Sequence, residues 1–85
     1  MTTIISAANT TFGAVFRVST EAPNPIDGKT AIFTWEVRVR WIDAEKTEAA
    51  SSTRCVGNST KGQLAPPRTL RPRARRAAVR RFRAG

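Results

Sequence analysis

An 85-residue chain with one cysteine and neither histidine nor tyrosine has room for a single small core, and it excludes an intrachain disulfide and most acid–base catalysis. The net charge of +9 is unevenly spread: residues 1–63 carry seven Lys or Arg and all six acids, whereas residues 64–85 carry eight arginines and no acid. No apolar run approaches the roughly 18 residues of a transmembrane helix.

The first segment, MTTIISAANTTFGAVFRVS, is rich in Ser and Thr and free of acids, as organelle transit peptides are, but it holds one arginine and runs into a strand pattern. Together with a lone cysteine, Cys55, which reads as a reduced thiol, this favours an intracellular protein, cytoplasmic or associated with a nucleus or nucleoid, over an imported one. Residues 11–20 place Phe12, Ala14, Phe16 and Val18 on one face of a strand, with Val15, Arg17 and Ser19 on the other. Residues 21–29 follow, EAPNPIDGK, in which two prolines stop pairing and Asp27-Gly28 supplies the positive-φ position of a tight turn. GKT at residues 28–30 superficially matches the end of a phosphate-binding loop. Residue 23, where the first glycine of that motif belongs, is proline, and a strand follows where the motif requires a helix.

Residues 30–42 carry the clearest signal. Phe33, Trp35, Val37, Val39 and Trp41 alternate with Thr34, Glu36, Arg38 and Arg40, a period of two that only a strand turns into two distinct faces. The pair predicts an antiparallel hairpin. Beyond it, DAEKTEAASS reads as a short helix with Asp43 as N-cap, and STRCV as a third short strand. Acids at Asp43, Glu45 and Glu48 follow no calcium-loop spacing and have Lys46 among them, so no metal is expected there. The fold class is thus small and mainly β, with α+β as the alternative: a hairpin or short sheet over residues 1–63.

At Leu64 the composition changes abruptly. Residues 64–85 are mostly Arg, Ala and Pro, a bias that predicts a basic, low-complexity tail, disordered when free, in which ARRAAVRRFRA is able to coil against a polyanion. On a helical wheel the arginines surround Ala74, Ala78 and Phe82 rather than opposing them, which speaks against a membrane-surface helix.

The tail is the segment with a mechanism attached. Guanidinium groups donate paired hydrogen bonds to phosphates, release counterions and stack on exposed bases, so Arg68, Arg71, Arg73, Arg75, Arg76, Arg80, Arg81 and Arg83 are the expected nucleic-acid contacts, with RNA favoured over DNA. Arg17, Arg38 and Arg40 outnumber Glu36 on the polar strand face, where a solvated surface accounts for them. The opposite, aromatic face is too large for a hairpin to bury alone. It requires cover from residues 1–10, from residues 43–56 or from another chain, which makes Phe33, Trp35 and Trp41 candidates for a protein interface or for self-association.

One functional reading therefore leads, and two stand as alternatives to it. The chain is a non-enzymatic nucleic-acid-binding accessory protein, or a structural subunit that docks through its aromatic face, or the product of an unselected reading frame whose tail reflects nucleotide composition. No cofactor and no small-molecule ligand is expected in any of them.

Overall fold

The computed structural model describes residues 1–62 and 64–85. Four strands, β1 (Thr2–Asn9), β2 (Gly13–Pro23), β3 (Thr30–Trp41) and β4 (Ala49–Asn58), form one antiparallel meander in the order β1-β2-β3-β4, and a helix, α1 (Leu70–Ala84), follows. The compositional boundary between residues 63 and 64 adjoins Gln63, which lies outside the described residues.

β2 and β3 form the expected hairpin. Their register sets Ala14, Phe16, Val18 and Thr20 opposite Val39, Val37, Trp35 and Phe33, and all eight are buried. The buried polar atoms are satisfied within this layer: the Trp35 indole N–H donates to Thr20 Oγ1 at 2.8 Å, and the Thr20 hydroxyl donates to the Phe33 carbonyl at 3.2 Å. Residues 24–29 make the turn, with Gly28 at φ 74° and the Asn24 and Asp27 side chains accepting from the N–H groups of Ile26 and Lys29. This turn accounts for GKT. Phe12, expected on the apolar face, instead precedes β2 and is 76 % exposed. The strand starts at Gly13 because the backbones of β2 and β3 close up there: a Cβ at Gly13 would lie 1.9 Å from the Val39 carbonyl oxygen.

Both outer strands differ from expectation. β1 pairs along β2 with an irregularity between Ile4 and Ser6, which puts Ile4 against the core and leaves Ile5 exposed; the shift erases the period of two. The helix expected over residues 43–52 is absent. The Asp43 carboxylate accepts from the N–H groups of Thr47 and Glu48, both at 3.0 Å, and from the Thr47 hydroxyl, closing a turn in which Lys46 takes φ 59°. A helix cannot continue through that conformation. The chain enters β4 instead, which contains the expected STRCV strand and extends it at both ends.

The largest correction concerns the end of the chain. Residues 70–84 are helical without a polyanion: α1 contains the ARRAAVRRFRA stretch expected to coil and packs across the sheet of its own chain, burying Leu70, Ala74 and Ala78 against the Trp35 and Phe33 layer, with Val79 and Phe82 partly buried beside them. Spacing of four residues lines Leu70, Ala74, Ala78 and Phe82 along one helix face. Two alanines in that line let the helix backbone approach the sheet closely, so a narrow apolar stripe suffices even though arginines flank it. Pro72 falls in the first turn, where a missing N–H costs nothing, and Gly85 closes the helix at φ 98°. The main cover of the aromatic face is therefore α1, with Ile4 from residues 1–10 and Ala49 and Cys55 from residues 43–56 packed against the same core.

Candidate nucleic-acid interface

All eight arginines singled out from the sequence are exposed. Seven sit on α1, and the structure divides them by what they touch. Arg71 donates to the Thr53 carbonyl at 3.0 Å with its guanidinium 5.8 Å from the centre of the Trp35 ring; Arg83 donates to the Thr47 carbonyl at 3.0 Å and lies 5.7 Å from the Trp41 ring. Each combines a hydrogen bond with cation–π attraction. These two clamp the ends of the helix to the β4 side of the sheet, and the Trp41 and Phe82 rings, 4.8 Å apart between centres, reinforce the C-terminal clamp.

Arg68, Arg73, Arg75, Arg76, Arg80 and Arg81 differ. Among the described residues none of them hydrogen-bonds or ion-pairs with the protein, because the ion pairs lie on the sheet and residues 64–85 contain no acid. Arg75, Arg76, Arg80 and Arg83 converge with Ser51 and Val79 on a shallow groove of about 590 Å³ between α1 and the outer edge of β4. Successive alternate residues of a strand aim their peptide groups to the same side. The Ser51 N–H therefore shares the outward edge on which the Thr53 carbonyl meets Arg71. Among the described residues the groove so presents three unpaired guanidiniums, Arg75, Arg76 and Arg80, beside the clamped Arg83 and a backbone donor, with no carboxylate to compete for them.

The opposite face of the sheet carries a different electrostatic unit. Glu36 is 5 % exposed beneath three arginines: Arg38 Nε at 2.9 Å, Arg54 Nη2 at 3.1 Å and Arg17 Nη2 at 3.9 Å. Hydrogen bonds from Arg54 and then Arg38 hold its carboxyl below the ordinary glutamate range, outweighing the opposing effect of burial. The sequence placed Arg17, Arg38 and Glu36 on one face. Arg54 was missed, since only the pairing of β4 with β3, regular from Trp41↔Ala49 to Trp35↔Cys55, brings it opposite Glu36.

Phe33 and Trp35 are buried beneath α1 and Trp41 is half-buried against Phe82, so these three residues serve the sheet–helix core. Asp43 is occupied by its own turn, which draws its carboxyl below the ordinary value through the hydrogen bond from the Thr47 hydroxyl first and the Glu48 N–H next. The half-buried Cys55 thiol donates to the Gly57 carbonyl at 3.3 Å. Among the described residues no helix is long and apolar enough to cross a membrane. Comparison with protein-family models, curated proteins and solved structures returned no match.

Proposed function

We propose that this chain is a non-enzymatic nucleic-acid-binding protein that holds phosphates in the groove between α1 and β4. The observation that carries the reading is the set of helix guanidiniums without carboxylate partners, gathered along one edge of a folded scaffold. Phosphate is the ligand chemistry a guanidinium fork matches best, and a folded helix spares part of the ordering cost that a free tail meets on binding. Arg75, Arg76 and Arg80 are the principal contacts, Arg68, Arg73 and Arg81 extend the field around them, and Arg71 and Arg83 chiefly hold the helix in place. RNA is favoured over DNA because guanidiniums also stack on unpaired bases.

Removing residues 64–85 would strip the cover from Phe33 and Trp35 and disturb the fold, so point substitutions are the appropriate test. In fluorescence anisotropy with labelled RNA and DNA, log affinity is expected to fall linearly with log salt, with a slope of about −0.9 per duplex phosphate contacted and so about −3 to −5 for the groove. Arg76→Gln with Arg80→Gln should make that slope shallower by about 2 and leave the circular dichroism unchanged. Binding that is insensitive to salt, or equal in the double variant, would refute the reading. Docking to a protein partner through Phe33 and Trp35 would require α1 to lift from the sheet, which makes that reading secondary.

A further inference from the structure

The sheet face away from α1, together with the sheet end beside it, holds three features that the helix groove does not use. First, Arg38 alternates with Arg40, which among the described residues has no ion-pair partner. Second, Glu36 pins Arg17, Arg38 and Arg54 in a tight group, yet their side chains remain 49 %, 65 % and 71 % exposed. One carboxylate against these three, with Arg40 beside them, leaves an excess of three positive charges whose positions are set before any ligand arrives. Third, Phe12 stands 76 % exposed at the end of the sheet; it borders Trp41 and Phe82 on one side, and on the other it shares a groove of about 570 Å³ with Val15, Arg38, Arg40 and Ser52. An unburied aromatic ring beside fixed guanidiniums is the combination that takes an unpaired base on its π-face and the adjoining phosphates on the cations.

We infer that this face is a second nucleic-acid site, specific for a single-stranded segment, with a base stacked on Phe12 and its phosphates held by Arg40 and by the arginine group organised on Glu36. It rests on the reading that nucleic acid is the ligand of α1, and it adds a consequence. Because α1 covers one face and this site occupies the other, one molecule holds two segments at once, with the sheet between them. The chain is then a bridge between nucleic-acid segments rather than a coat along one of them. Glu36 is a positioning residue here: it fixes where the guanidiniums sit without meeting the ligand.

The test is a capture experiment with the full chain. A duplex RNA is tethered to beads, the protein is added, and retention of a short labelled oligouridine is measured. The wild-type chain is expected to coat the beads and retain the oligouridine. Phe12→Ser combined with Arg40→Glu alters two exposed side chains; it should coat the beads equally and retain about tenfold less oligouridine, the loss of one stacked base and one phosphate contact. If the wild type coats the beads and captures nothing, or if the double variant captures as well as the wild type, the second site is refuted while the helix groove stands. If the wild type fails to coat the beads, the groove reading falls. Direct titration with oligouridine then decides the sheet site by itself: binding lost in Phe12→Ser/Arg40→Glu upholds it, and no binding by the wild type overturns it.

Discussion

α1 carries seven guanidiniums in fifteen residues and no acid, so the scaffold should become more stable as salt is added. Four like-charge pairs lie at helical neighbour spacing: Arg71 with Arg75, Arg73 with Arg76, Arg76 with Arg80, and Arg80 with Arg83. At about 0.2–0.5 kcal/mol each, they oppose the helix by about 1–2 kcal/mol at low salt. The Debye length shortens from about 30 Å at 0.01 M to about 10 Å at 0.1 M, which screens these exposed charges while leaving the packing of Leu70, Ala74 and Ala78 untouched. The ion pairs on Glu36 are weakened by the same screening, but their arginines are largely exposed and such pairs contribute little. The net effect is a rise of about 1 kcal/mol, which for a chain of this size is a melting-temperature increase of about 4–8 °C. Differential scanning fluorimetry across sodium chloride concentration measures it directly. Arg76→Gln with Arg80→Gln removes three of the four pairs, so it should melt higher than the wild type at low salt and lose most of the salt dependence. A wild-type melting temperature that is flat or falls with salt, or a double variant with an unchanged slope, would show that repulsion along α1 does not limit its stability.

Further outcomes follow from single contacts. Thr20→Val keeps the shape of the side chain but strips the buried Trp35 indole N–H of its acceptor, at about 1–3 kcal/mol in urea denaturation, whereas Thr20→Ser should lose much less. Gly13→Ala drives a Cβ into the Val39 carbonyl oxygen and should cost about 1–3 kcal/mol, or shift the β2–β3 pairing enough to change the amide spectrum around Phe12. Glu36 has a folded-state pKa below its ordinary 4.5, so its stabilising contribution is present above about pH 4.5 and is lost as pH falls through the lower, folded value. Glu36→Gln should therefore flatten acid unfolding over that window, and an acid profile identical to the wild type would mean that its ion pairs do not contribute.

The hairpin was legible because period-two alternation in residues 30–42 admits one explanation, and Asp27-Gly28 marks its turn. Of the outer strands only the STRCV stretch of β4 was legible. β1 carries an irregularity between Ile4 and Ser6 that breaks its alternation, and β4 opens on Ala49, Ala50, Ser51 and Ser52, whose short side chains carry little hydrophobic contrast. Its strand conformation comes from pairing with β3, a non-local cause that no local pattern records. Asp43 was read correctly as a residue that captures N–H groups; the N–H groups belong to a turn rather than to a helix, because Lys46 adopts the left-handed region. For the site, residue type gave the chemistry of the eight arginines. Their division into clamps and free donors depends on where the Thr47 and Thr53 carbonyls lie, which only the folded sheet reveals.

α1 shows how a polar composition can still complete a core. Its buried line is Leu70, Ala74 and Ala78, three side chains among fifteen, and judged by composition such a segment has too little apolar area to pack. What composition omits is the partner surface: Phe33, Trp35 and Val37 already supply bulk on the sheet, so the helix needs small residues along one line and freedom from charge there. Every arginine of α1 falls off that line. Arg71 and Arg83 then lay their guanidiniums over the Trp35 and Trp41 rings, so that two of the charges which composition counts against packing hold the segment on the core. The same arrangement faces the remaining guanidiniums outward on a fixed frame. Burying the aromatic face and presenting the guanidiniums that we propose hold phosphates are consequently one structural act, and on that proposal a substitution that loosens α1 should weaken stability and nucleic-acid affinity together, whereas Arg76→Gln with Arg80→Gln should separate them, raising the first at low salt as it lowers the second.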